Sequence, residues 1–224
     1  MSDPISSIAQ YLSADVRALG TLSQNVANLT TPGFRAMQRV ENFGSSLVSP
    51  SRIDLHDGAL MMTKRPLDLA LQGSGFFTVQ SGEQTFLTRD GQFKLDANGQ
   101  LVDMQGHVVM GTDGPITLTS DAVTIGENGE IRDGTSVIDQ LAIVDVSDAS
   151  QLKPMGQGLF AYGGSTTDAQ VKVHQGALEG SNVDPGHEMV RLMEISRHAS
   201  SIQHAISTYH AALSAGIDQL GKDS

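Results

Sequence analysis

Leu192-Met193-Glu194-Ile195-Ser196-Arg197-His198-Ala199-Ser200-Ser201-Ile202-Gln203-His204-Ala205-Ile206 decides the fold. Its apolar positions are Leu192, Ile195, Ala199, Ile202 and Ile206, and they continue to Tyr209, Leu213 and Leu220. Steps of three and four put all of them on one side of a helix. The other end of the chain repeats the pattern with Ile5, Ile8, Leu12, Leu19, Leu22, Val26 and Leu29. Asp15 interrupts the first stripe and Gly216 the second. Each stripe follows an Asp-Pro pair, Asp3-Pro4 and Asp184-Pro185. The carboxylate caps free backbone N–H groups, and proline loses nothing at the first helical position. Gly221 is a plausible stop for the second helix.

The spacing therefore predicts two long terminal helices that pair as a coiled-coil-like stem. Their surfaces suggest more than a hairpin. Residues 18–34 and 198–217 contain no Asp, Glu, Lys or Arg, and are rich in small neutral side chains. A solvent-facing helix would carry Lys and Glu there. Contacts with other copies of the chain are the expectation.

Between the helices the period changes. Leu67–Leu71, Gly75–Val79, Gln84–Leu87, Gln92–Leu95, Leu141–Val146 and Val171–His174 read as strands. Asp96-Ala97-Asn98-Gly99-Gln100-Leu101 and Gly126-Glu127-Asn128-Gly129-Glu130-Ile131 read as one hairpin type used twice. The fold class is α+β, with the central all-β part a sandwich or irregular barrel. The expected organisation is 1–39 for the first helix and its turn, 40–182 for a linker or arm and the β domain, and 183–224 for the last helix. The stretch 40–58 reads as the linker or partly extended arm.

The net charge of −11 is uneven. Residues 41–182 hold 18 acids and eight bases, whereas 1–40 hold two acids and three bases. No basic face exists to displace counterions from phosphates, so nucleic acid is excluded as a partner. No run approaches the ~20 apolar residues of a membrane span. The first 30 residues lack a basic stretch followed by an apolar core, so no cleavable signal is expected. The absence of cysteine removes thiolate chemistry and disulfides.

Seven histidines raise the question of metal. His198, His204 and His210 are six residues apart, and ligands on one helix face need steps of three or four. His187-Glu188 is followed by Arg191 where a zinc-protease helix needs histidine. Asp96-Ala97-Asn98-Gly99 lacks the distal glutamate of a calcium loop. Asp54 and Asp57 read as solvated surface. There is no Gly-x-Ser-x-Gly elbow and no complete dinucleotide fingerprint. The expectation is no enzyme, no cofactor and no metal.

Asn25-Val26-Ala27-Asn28-Leu29-Thr30-Thr31-Pro32-Gly33-Phe34-Arg35 resembles the signature that ends the first helix in bacterial flagellar basal-body rod and hook proteins. Arg65 to Gly73, Gly75-Phe76-Phe77, Thr88-Arg89-Asp90-Gly91, Gly99-Gln100-Leu101 and Gly176 to Val183 resemble other parts of that family, in order. Gln105 to Gly111 and Gly114-Pro115-Ile116 are most similar to its proximal-rod branch, with the distal-rod branch next. The last helix departs from the family at Ser200, Ser201, His204 and His210. The resemblance implies a structural subunit of the hollow rod that crosses the periplasm. It implies export by the flagellar type III apparatus, and copies of itself and other rod proteins as partners. It marks Asn25, Ala27, Asn28, Thr31, Pro32, Gly33, Phe34 and Arg35 as an assembly motif. Pro32 disfavours helix at Thr31, and Gly33 is the residue able to take positive φ there. A rod-like protein of another secretion machine, or a monomer with an ordinary helical hairpin, are the rival readings.

Overall fold

The computed structural model describes residues 4–39 and 51–220. Asp3, Gly221 and most of the expected arm lie outside the described residues. The chain is α+β: helix α1, Pro4–Ala27, and helix α2, Pro185–Leu220, bracket a succession of short strands. It divides into two compact units. One holds the two helices; the other holds Ala27–Gln38 and Ser51–Val183.

Helix α2 starts as its sequence dictates. Asp184 Oδ1 accepts from the backbone N–H groups of Gly186 (2.8 Å) and His187 (3.3 Å). That satisfies two donors that have no partner inside the helix. Side chains link α2 to α1: Asn25 Nδ2 donates to Glu188 Oε1 at 2.8 Å, and His198 Nδ1 lies 2.9 Å from both oxygens of Asp15. Residues far along α2 thus meet residues early in α1, which is an antiparallel arrangement.

In the β unit, the hairpin of Phe76–Ser81 and Gln84–Thr88 is the centre of a nine-stranded sheet. Leu159–Ala161 and then Lys153–Gly156 extend it on one side. Val108–Val109, Leu101–Val102 and Lys94–Leu95 extend it on the other. Ile143–Val146 bridges Phe76–Phe77 to Thr166–Asp168. The path runs open from Lys153–Gly156 to Lys94–Leu95, so this sheet is not a closed barrel.

Adjacent residues of one strand face opposite ways, and Phe76 and Phe77 feed two different clusters. Phe77 packs with Leu69, Leu71, Val79, Phe93, Leu101, Val109, Ile116 and Ile131. Its ring meets Phe93 edge-on, with centroids 5.2 Å apart. Phe76 packs with Leu87, Leu152 and Phe160. The two turns expected to be alike are alike: Asp96 N–H donates to Gln100 O, and Gly126 N–H donates to Glu130 O, each at 2.9 Å.

Candidate assembly site

The signature segment begins in the last turn of α1. Asn25 is fully buried and holds Glu188, as described above. Helix α1 stops at Ala27. Asn28 then closes a tight turn: its carbonyl accepts from Thr31 N–H (3.2 Å) and its Oδ1 from Thr31 Oγ1 (3.0 Å). Pro32 follows, half-buried. Gly33 has φ +65°, and a Cβ there would lie 2.3–2.5 Å from the Arg89–Asp90 peptide. Its N–H donates to Glu179 O at 2.8 Å. Glycine is therefore required twice, for the left-handed backbone and for the close approach. Phe34 is half-buried; its carbonyl accepts from Asn182 N–H at 3.3 Å.

Arg35 ends the segment inside a buried charge network. Its guanidinium meets Glu179 Oε1 (2.9 Å), Asp57 Oδ1 (3.3 Å) and the carbonyl of His56. Arg89 meets the same two acids, Glu179 Oε2 through Nε (2.8 Å) and Asp57 Oδ1 through Nη2 (2.7 Å). Arg89 Nη1 also donates to the carbonyls of Gly73 and Gly75. Two arginines thus share two carboxylates. Burial, and then the neighbouring Arg89 charge, hold the Arg35 guanidinium below its ordinary value, while Glu179 and Asp57 act in the opposite sense.

The network corrects one expectation. Asp57 is partly open to solvent, yet it bridges both arginines, and its Oδ2 accepts from Gly73 N–H at 2.8 Å. Asp54 accepts from the Gln38 side chain and from His56 N–H. Neither is a freely solvated surface acid. Arg89 and Glu179 were visible in the sequence only as parts of longer motifs, and no local pattern announces that they meet across 90 residues of chain.

The helix stripes are placed as follows. On α2, Ile202 is buried and Ile195, Ala199 and Ile206 are half-buried. Leu192 and Tyr209 are exposed. On α1, Leu22 is buried and Ile8 half-buried. Leu12, Leu19 and Val26 remain 47, 40 and 45% exposed. The side chains of Ile5, Leu213 and Leu220 lie outside the described residues. Val16, Met189, Val190 and Met193 add further exposed apolar surface to the two helices. Among the described residues, no group of histidines and acids could hold a metal ion, and no helix is long and apolar enough to cross a membrane.

Residues 70–133 match the family described as "Flagellar hook protein FlgE/F/G D1 domain", and residues 174–219 match "Flagellar basal body rod FlgEFG protein C-terminal". Arg89 lies in the first match and Glu179 in the second. The flagellar basal-body rod protein FlgF of Caulobacter vibrioides is 32% identical, over 92% of this chain and 93% of that protein. FlgF of Salmonella typhimurium is 31% identical over 78% of this chain and 81% of that protein. The flagellar basal-body rod protein FlgG of Agrobacterium fabrum is 26% identical over 89% and 92% respectively.

Proposed function

Because the chain belongs to the flagellar basal-body rod protein family that includes FlgF, we propose that it is a structural subunit of the flagellar rod. It assembles through its terminal helices with copies of itself and with other rod proteins. The observation that carries this reading is the open apolar surface of α1 and α2. Leu12, Val16, Leu19 and Val26 on one helix, and Met189, Leu192 and Met193 on the other, stay exposed in a single chain. Scattered exposed apolar residues are ordinary, but a run at helical spacing along each of two helices fits an interface.

In this reading residues 1–39 and 183–224 pair as the inner, coiled-coil-like stem of a hollow shaft. Residues 40–182, read as a sandwich or irregular barrel carrying most of the negative charge, form the outer layer. The turn at Asn28–Arg35 redirects the chain from one to the other. The subunit reaches the periplasm unfolded, through the flagellar type III export apparatus. The likeness to FlgG supports a distal-rod position as a second reading. Imaging intact basal bodies that contain a density-tagged copy of this chain tests both readings. Label along the proximal rod supports the first and label along the distal rod the second. Basal bodies without label would overturn the assignment.

A further inference from the structure

One edge of the apolar stripe of α1 is not turned to α2. Its heptad-spaced residues Leu12, Leu19 and Val26 are all exposed, whereas Asp15 and Asn25 bond to α2 and Leu22 is buried. Two of these exposed residues sit next to an inward one: Leu19 follows Ala18, which is half-buried, and Val26 follows Asn25, which is buried. Consecutive helix positions are about 100° apart. Turning α1 to bury Leu19 and Val26 would therefore carry Asn25 out of the interface. Glu188 is buried, and its Oε1 takes the Asn25 amide at 2.8 Å. That turn would leave the carboxylate without this donor, which is the costly way to bury a charge.

We propose that Asn25 and Glu188 are a positioning pair that sets the rotation of α1, withholding the Leu12, Leu19 and Val26 edge of its apolar stripe from its own α2 and keeping it for a second copy of this chain. A polar pair inside a helix interface costs stability and selects one packing among several. The Asp15–His198 contact, 2.9 Å to each carboxylate oxygen, lies ten residues from the pair on each helix. Both contacts therefore belong to one alignment, and Tyr11 packs edge-on against His198 within it. The occupant named for the stripe rests on the rod reading above; the rotation itself does not. Residues 198–217 of a neighbouring copy offer a surface free of Asp, Glu, Lys and Arg, as residues 18–34 do.

The chain has no cysteine, so introduced pairs report helix rotation without background. Seven residues back from Asn25 and seven forward from Glu188, Ala18 and Ile195 share a level, and both are half-buried. In the full chain, Ala18→Cys with Ile195→Cys should close an intramolecular disulfide at least tenfold faster than Leu19→Cys with Ile195→Cys. In a background of Asn25→Leu with Glu188→Leu, the Leu19→Cys reporter should close within about threefold of the Ala18→Cys reporter. Glu188→Gln, which keeps the hydrogen bond, should preserve the original tenfold preference. A preference unchanged by the double leucine variant overturns the proposal, because the turn after α1 then sets the rotation alone. Equal closure of the two reporters in the unaltered background overturns it as well. Failure of the unaltered chain to enter the rod would sink the rod reading and leave the cross-linking result standing.

Discussion

Among the described residues of the helix unit, the buried hydrophobic ones are Leu22 and Ile202, and the buried polar ones Asn25 and Glu188. The β unit buries Phe76, Phe77, Phe93, Ile116, Ile131 and many more, together with a few paired charges. The β unit has an extensive apolar core and carboxylates on its buried arginines, though Met62, Val137 and Met155 stay exposed. The helix unit has no comparable core among its described residues. It has spent burial on polar contacts and left Leu12, Leu19, Val26, Met189 and Met193 outside. At about 1.5–3 kcal/mol for each large apolar side chain taken out of water, that exposed surface is a reserve of association energy. On the proposed reading, stability and assembly reside in separate parts of the chain, so substitutions should separate them.

The largest expected effect is in the β unit. Glu179→Ala leaves two buried guanidiniums sharing one partly exposed Asp57, and should cost about 3–5 kcal/mol. Denaturant unfolding of the full chain, followed by a β-unit probe, checks this. A loss below about 1 kcal/mol would mean that the network does not hold the unit together.

Asp90 sharpens the comparison through pH. Burial, with smaller contributions from the Asp103 and Asp68 charges, pushes its carboxyl up to about 6. A raised carboxyl means that the folded state holds its proton where the unfolded state has lost it. This group therefore removes stability as pH rises from about 4 to about 6, by about 2–3 kcal/mol in all. Asp90→Asn should lack that fall when its unfolding is compared with the parent chain across the window, while helix content follows the same course in both. Parallel pH profiles for the two proteins would show that Asp90 is not the titrating group.

Gly33→Val probes the junction. The φ of +65° alone should cost about 1–3 kcal/mol, and the Arg89–Asp90 peptide must also move. Incorporation into rods should fall while export is little changed, because an unfolded chain has no turn to strain. Secreted and incorporated protein, measured separately, decide it; equal incorporation would remove Gly33 from the hinge role.

Part of this division was legible in the sequence. The helices were, because apolar spacing and an Asp-Pro start are local signals that tertiary structure had no cause to override. The repeated Asn-Gly turns were legible for the same reason. Strands such as Leu60–Met62 and Lys153–Gly156 were not: both are short, every residue in them is exposed, and the second contains Pro154. Their pairing is decided by Ala177–Glu179 and Leu159–Ala161 rather than by their own pattern. The Arg35–Asp57–Arg89–Glu179 network was illegible because its members meet only in the folded chain. On α1, the stripe identified the helix but not its rotation, since that depends on Asn25 finding Glu188. Asp15 was the one visible hint, as a charge in the seam that now has a partner in His198.

The central claim is that the exposed helix stripe serves assembly and not the fold of the subunit. The most direct measurement pairs rod incorporation with thermal unfolding for one variant, Leu12→Asp with Leu19→Asp. The account predicts a change in stability within about 0.5 kcal/mol per site, as for exposed positions generally, together with loss of the subunit from purified basal bodies. A variant that is equally stable and enters the rod as well as the parent chain would contradict it.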